Sequence, residues 1–256
     1  MKTIYSLTNE KSQRNIGEYF EIVKFKGKYL LYYSCFNKIK LVLSDTLDFT
    51  NIEPIIVIEN APGGSFCIVN ENDKLLMLCG CHVSDKGENE TQIPDFVWPK
   101  NKRKVLDWTV NRDDRRNGMY LLESYDGVEW KEIHNTPVLH CYEKSDTCRL
   151  GEIGFDTHPC LIKDNGEYIF FGRLNSSFDE RRIYARRSKD LINWTPPEKI
   201  NITNENKNNL KKNYYHFVVF KKNNLFYAFT PYFEACGTEK KIYKNGCTMM
   251  LISKDA

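Results

Sequence analysis

The residues of this chain best placed to do chemistry are carboxylates and imidazoles at the entrances of apolar strands. The run CRLGEIGFDTHPCLI sets Asp156 and His158 just ahead of such a strand, with Glu152 and Arg149 close upstream. Positions two apart on a strand share a face, so Asp156 and His158 point the same way. A carboxylate beside an imidazole can transfer protons or hold hydroxyl groups, and both are costly to bury unpaired. The competing reading is a turn-capping aspartate beside a surface histidine. When hairpin turns are aligned, His216 falls at the position of His158. The matching stretches elsewhere offer Gly63 and Ser65, and Gly17 and Tyr19 with Glu18 and Glu21 flanking. Gly63 and Gly64 would let a ligand approach the backbone closely.

Cysteines offer a second possible chemistry. There are nine, an odd number, and Cys35, Cys67, Cys79, Cys160 and Cys247 sit inside apolar segments. Cys79 and Cys81 form a C-x-C with His82 next, but a zinc site wants a second pair at set spacing. Cys141 and Cys148 have no histidine at ligand spacing. The expectation is alternating strand thiols, buried and reduced, with no metal.

The elements that must position these groups are strands. Of 256 residues, 15 are Tyr, 15 Phe and 4 Trp, a composition that leans toward β structure. The 37 basic and 34 acidic side chains leave a formal charge of +3, which argues against binding a nucleic-acid backbone. Neither a signal peptide nor an 18-residue apolar run is visible, so no membrane partner and a cytoplasmic location are expected.

Four stretches read as strand, tight polar turn, strand: from Glu18, Gly63, Phe155 and Tyr214, with turns KG, END, DNG and KNN. Gly and Asn tolerate the positive φ of two-residue hairpin loops. A second element follows, a strand running into a turn with Asp and an aromatic four residues on: Asp45 with Phe49, Asp126 with Trp130, Asp190 with Trp194. A fourth copy begins at LISKDA, where the sequence stops. Repetition of this unit is the pattern of a β-propeller blade. One domain over 1–256 is expected, with blades at about 17–60, 61–140, 150–202 and 210–256 and a charged insertion at about 83–117. A two-sheet sandwich is the alternative with equally many short strands.

The stretches FDTHPCLIKDNGEYIFFGRLN and RRIYARRSKDLINWTPPEKI resemble the five-bladed β-propeller glycoside hydrolases around families 32, 43 and 130, and more closely their relatives labelled glycosyl hydrolase family 32-like. NGMYLLESYDGVEWKEIHNTPVLH and NYYHFVVFKKNNLFYAFTPYF are similar to the neighbouring blades of such proteins, so the resemblance is carried by about 117–256. It implies an all-β, five-bladed β-propeller of which about four blades are recognisable here. Either segment 1–16 supplies a closing strand or the propeller is truncated.

The resemblance also implies carboxylate chemistry without a cofactor: a glycosidic bond of a small glycan, or of a fructan- or arabinan-type sugar, cleaved between two carboxyl groups. Asp156 matches the channel aspartate of the middle blade and is expected to stabilise the transition state. Glu152 is the candidate acid, while Arg149 and Arg173 would bond carboxylate or sugar hydroxyls. His158 and His216 fit as hydroxyl partners, and Trp98 and Tyr232 could stack on a sugar face. The first blade lacks the Asp such enzymes carry there, so Glu18 and Glu21 are the stand-ins for nucleophile or base. The implied partner is a carbohydrate. A non-catalytic sugar-binding propeller is the alternative. A phosphorylase like those of family 130 is a further one, prompted by Arg181, Arg182, Arg186 and Arg187.

Overall fold

The computed structural model describes residues 16–35, 38–59, 61, 65–82, 106–107, 117–134, 136–140, 158–177, 180–202, 211–236 and 242–255. Asp156, Glu152, Arg149 and Trp98 lie outside these residues, and of Glu18 only the backbone is described. Among the described residues there is no helix, and hence none long and apolar enough to cross a membrane.

Four sheets follow one another along the chain. The first holds β1 (Ile16–Phe25), β2 (Lys28–Cys35), β3 (Lys38–Ser44) and β4 (Ile55–Glu59) in order. The second runs β5 (Phe66–Asn70), β6 (Leu75–His82), β8 (Asn117–Ser124) and β10 (Leu139–His140), with β9 (Lys131–Glu132) also on β8. Between β6 and β8 in the chain, β7 (Leu106–Asp107) pairs parallel to β4. The described part of the expected insertion therefore extends the first sheet rather than the second.

The third sheet is β11 (Cys160–Asp164), β12 (Glu167–Ser177), β13 (Glu180–Ser188) and β14 (Glu198–Lys199). In the fourth, β17 (Leu225–Cys236) is flanked along most of its length by β18 (Ile242–Ser253). A strand has only two edges, so β15 (Lys211–Tyr214) and β16 (Val218–Lys222) lie end to end along the other edge of β17. The first strands of the four hairpins approach one another in sequence order, β1 to β5, β5 to β11 and β11 to β16. This is the radial arrangement of a propeller, with four blades described, and not a two-layer sandwich.

Local sequence explains the hairpins. Lys26 and Gly27, Asn165 and Gly166, and Asn223 and Asn224 all take positive φ, between 46° and 82°, at both central positions of their turns. That is the two-residue loop whose twist matches paired strands. The Asp turns are equally local. One carboxylate oxygen of Asp126 accepts from the Ser124 hydroxyl and from the amides of Val128 and Glu129. Asp190 does the same with Ser188, Ile192 and Asn193. Each turn delivers its tryptophan back to the core, Trp130 edge-on to Tyr32 and Trp194 edge-on to Phe170.

Packing between successive sheets makes the core. Leu30, Tyr32 and Leu41 of the first meet Phe66, Met77 and Trp130 of the second. Leu76, Leu78 and Leu121 meet Leu161, Phe170 and Leu191 of the third. Ile169, Phe171 and Ala185 meet Phe217, Val219 and Phe226 of the fourth. Each large side chain removed from water here contributes about 1.5–3 kcal/mol. Polar latches tie the turns: Tyr32 Oη donates to the Gly127 carbonyl at 2.6 Å, and Glu71 receives both Lys163 and the Tyr168 hydroxyl.

Candidate functional site at the hub of the inner strands

The four hairpins close on equivalent pairs: Phe25 with Lys28, Glu71 with Lys74, Asp164 with Glu167, and Lys222 with Leu225. Counting back four residues from the first member of each pair gives one row across the hub: Glu21, Cys67, Cys160 and Val218. Six back gives a second row: Tyr19, Ser65, His158 and His216. The next row back would be Gly17, Gly63, Asp156 and Tyr214, of which only Tyr214 has a described side chain.

The first row carries one carboxyl, two thiols and a valine. Glu21 Oε2 accepts from the Ile68 amide at 2.7 Å, on the inner edge of β5 that β6 leaves unpaired. Burial pushes the Glu21 carboxyl up to about 8, and the single amide bond offsets only part of that rise. The carboxyl is therefore largely protonated at neutral pH. Cys160 makes the matching contact two sheet boundaries further on, between the third and fourth sheets, where its Sγ accepts from the Val219 amide at 3.3 Å. Burial pushes the Cys160 thiol up to about 12 and that of Cys67 well above its ordinary value. Neither is a nucleophilic thiolate.

The second row holds three aromatic rings and Ser65. The His158 ring stacks on Tyr19, with centroids 5.3 Å apart and planes 7° apart, and meets Phe66 edge-on at 6.0 Å. Its Nδ1 is buried with no hydrogen-bond partner among the described residues. Burial, with His216 nearby, lowers His158 to about 4, so the ring is neutral. His216 is lowered by burial and then by the Arg173 guanidinium. Arg173, itself buried, lies over the Tyr215 ring at 4.4 Å.

The structure thus brings together Glu21, His158, His216 and Arg173 of the residues singled out from sequence. Tyr232, on β17, is the cross-strand partner of Tyr214. It is buried against Tyr214 in the packing between the third and fourth sheets. Arg181 and Arg182 lie over the rings of Tyr215 and Tyr214. Sequence reading did not single out Cys67, Cys160 or Phe66 for the hub, although the first two share the turn offset of Glu21. Among the described residues no group of three or more His, Cys, Asp or Glu side chains is arranged to hold a metal ion.

No family model matches this chain, and no curated protein matches it. Solved structures do. The α-L-arabinanase of Penicillium chrysogenum, in a complex with arabinobiose, superposes with a TM-score of 0.59 at 13% identity, covering 99% of this chain and 67% of that one. The endo-arabinase of Bacteroides thetaiotaomicron gives 0.57 at 12% identity, over 94% of this chain and 76% of that one. The Bombyx mori family 32 β-fructofuranosidase gives 0.52 at 17% identity, over 90% and 48%. The chain thus spans between about half and three quarters of these proteins. At such identities the likeness defines the fold, the β-propeller that these glycoside hydrolases share.

Proposed function

We propose that the chain carries a glycoside hydrolase site acting on a small glycan or on a fructan- or arabinan-type sugar, with Glu21 as its proton donor. The observation that carries this reading is the Glu21 carboxyl, held near 8 at the meeting point of the inner strands. Glycosidic cleavage needs a carboxylic acid still protonated at working pH to give its proton to the departing oxygen. The raised value suits Glu21 to that role better than to the nucleophile or base for which the sequence nominated it, because those need the ionised form. In this reading the Glu21 proton passes to the glycosidic oxygen as the C–O bond breaks, and water forms the new C–O bond at the anomeric carbon, directly or by displacing a glycosyl ester of the opposing carboxylate. Asp156, two positions before His158 in sequence, is the carboxylate proposed for the opposing role. The neutral His158 and Tyr19 offer a stacked, polar-edged wall, and Arg173 with His216 border it. The neighbours' arabinobiose-bearing and fructofuranosidase structures support a furanoside as first substrate to try.

The test assays wild type, Glu21→Gln and Asp156→Asn for hydrolysis of arabinobiose, sucrose and aryl furanosides, with sugar binding measured by calorimetry. Loss of hydrolysis by about a hundredfold or more in both variants, with binding kept, supports the reading. A wild type that binds sugar without hydrolysing it makes the chain a binding propeller instead. A wild type that does neither removes the sugar reading altogether.

A further inference from the structure

Two guanidiniums meet on one ring where the third and fourth sheets face each other near the hub. On β12, Arg173 follows Ile169 and Phe171 on the face turned toward the fourth sheet. Arg181 on β13 is the cross-strand partner of Asn175, two residues beyond Arg173, so it shares that face. The ring they meet is that of Tyr215, in the link from β15 to β16, whose amide donates to the Pro231 carbonyl of β17 at 3.0 Å. Arg173 lies over the ring at 4.4 Å and Arg181 at 5.6 Å. Arg173 is 4% exposed and Tyr215 37%, so the cluster is buried at β12 and opens to solvent at the ring. It adjoins the row of Tyr19, His158 and His216. The His216 ring meets that of Tyr215 edge-on at 6.2 Å. The register of β11 on β12, carried two residues further, sets Arg173 opposite His158.

Positive charge gathered in this way favours an anion. Each guanidinium is attracted by the electron-rich ring face, but that attraction neutralises nothing, and the two cations repel across a partly desolvated space. The carboxyl, thiol and imidazole groups of the first and second rows bring no negative charge at neutral pH. Glu21 keeps its proton, Cys67 and Cys160 are neutral thiols, and His158 and His216 are neutral rings. A single ionised carboxylate, such as the Asp156 of the proposed mechanism, would still leave the guanidiniums in excess. A guanidinium laid on a ring directs its N–H fork outward in its own plane, where it matches the two oxygens of a carboxylate. Such charge-assisted bonds are roughly twice as strong as those to a neutral hydroxyl. Tyr215 offers the body of a sugar an aromatic surface beside those forks. We propose that the site takes an acidic glycan, one that includes a uronic acid unit, with Arg173 and Arg181 holding its carboxylate beside Tyr215 and His216, which rests on the hub being the sugar site proposed above.

Calorimetry on the full chain tests this with methyl uronides of gluco, galacto and manno configuration, each against its neutral methyl glycoside, and with inorganic phosphate. At least one uronide should bind wild type about tenfold or more tightly than its neutral counterpart. Arg181→Gln changes a half-buried position and Arg173→Lys keeps the buried charge, so both should fold. The first should cut the uronide preference about tenfold, and the second, which loses the fork, by about threefold or more. Lys189→Gln, on an exposed turn of the same sheet, should leave the preference unchanged. A wild type that binds no uronide better than its neutral counterpart would overturn the proposal, and so would a preference that survives both arginine substitutions. Inorganic phosphate binding as tightly as the best uronide would overturn it as well, by assigning the guanidiniums to phosphate. Hydrolysis of arabinobiose without any uronide preference would sink the acidic substrate and leave the glycosidase reading standing. Uronide binding through Arg173 and Arg181 without hydrolysis of any glycan would do the reverse.

Discussion

Glu21 of β1 and the Ile68 amide of β5 are joined by a 2.7 Å hydrogen bond that crosses from the first sheet to the second. Inner strands of adjacent blades are not paired in a ladder, so their inward amides need side-chain or solvent partners. The glutamate supplies one at the cost of its own solvation. Cys160 and the Val219 amide repeat the arrangement between third and fourth sheets. The hub is thus stitched by side chains, and the one that is acidic is also the one whose proton can be given away.

The Glu21 and His158 shifts oppose each other with pH, and their signs give a distinctive stability profile. Glu21 is raised from 4.5 to about 8, so the folded state holds a proton that the unfolded chain releases across that range. His158 is lowered from 6.5 to about 4, so the folded state lacks a proton that the unfolded chain takes up below 6.5. Between about 4.5 and 6.5 the two cancel, apart from a small upward tilt from His216, and unfolding free energy is nearly flat. From about 6.5 to 8 Glu21 dominates among the described residues, opposed close to pH 8 by Lys38, which burial lowers to about 8, and stability falls as pH rises by about 1–2 kcal/mol. In Glu21→Gln that fall disappears, and stability instead climbs from about pH 4 to 6.5 and then levels. Urea unfolding at half-unit pH steps reads both curves, and an unchanged decline above 6.5 in the variant would remove Glu21 as its source.

Thiol chemistry should separate buried from open cysteines. Cys247 is exposed, whereas Cys67 and Cys160 are pushed toward the neutral thiol by burial. With an aromatic disulfide reagent under native conditions, Cys247 should react at least about a hundredfold faster than either. Cys160→Ala removes the acceptor for the Val219 amide and should cost about 1–2 kcal/mol in unfolding free energy. Rapid labelling of Cys160 in the folded protein would mean that the hub is open to solvent.

Gly127 is where the second sheet's Asp turn touches the first sheet. It holds φ at +78°, and a Cβ there would lie 2.3 Å from Leu30 Cδ2 and 3.0 Å from Tyr32 Oη. Gly166 has a similar φ of +82° and open space around it. Gly127→Ala should therefore cost about 2–4 kcal/mol and Gly166→Ala about 1 kcal/mol. Equal losses in thermal or urea unfolding would show that backbone strain alone, without the contact to Leu30 and Tyr32, sets the cost.

The propeller could be read from sequence because its signals are local. The turns KG, DNG and KNN impose their own φ, and Ser-x-Asp folds on itself whatever surrounds it. The same pattern misleads at Asp45. There Asp follows Ser44 directly, so Thr46 takes the turn position that Asp126 and Asp190 hold, accepting from the Asp48 amide. The Asp45 carboxylate goes to Lys28 instead. Turn alignment also put His158 and His216 in one row and Glu21 level with Cys160. The state of Glu21 was not legible, because it depends on the Ile68 amide and on burial by strands far along the chain. Tyr232 shows the same dependence on distant strands: an aromatic suited to a sugar is equally suited to a core, and here it packs in the core between the third and fourth sheets.

His158 offers the sharpest separation of structure from function. Its ring is packed as an aromatic between Tyr19 and Phe66, while its Nδ1 is buried without a partner among the described residues. A purely structural residue at this position would do better as phenylalanine, which keeps the stacking and removes the unsatisfied nitrogen. His158→Phe should therefore stabilise the protein by about 1 kcal/mol at pH 7, and by more below pH 6.5, where the histidine's neutral state becomes a growing penalty. If the ring nitrogen serves a sugar hydroxyl, the same variant should bind an arabino-oligosaccharide about tenfold more weakly. Opposite changes in stability and affinity would mark a side chain kept for its ligand. A His158→Phe protein that is less stable than wild type would show instead that the imidazole is held by the fold.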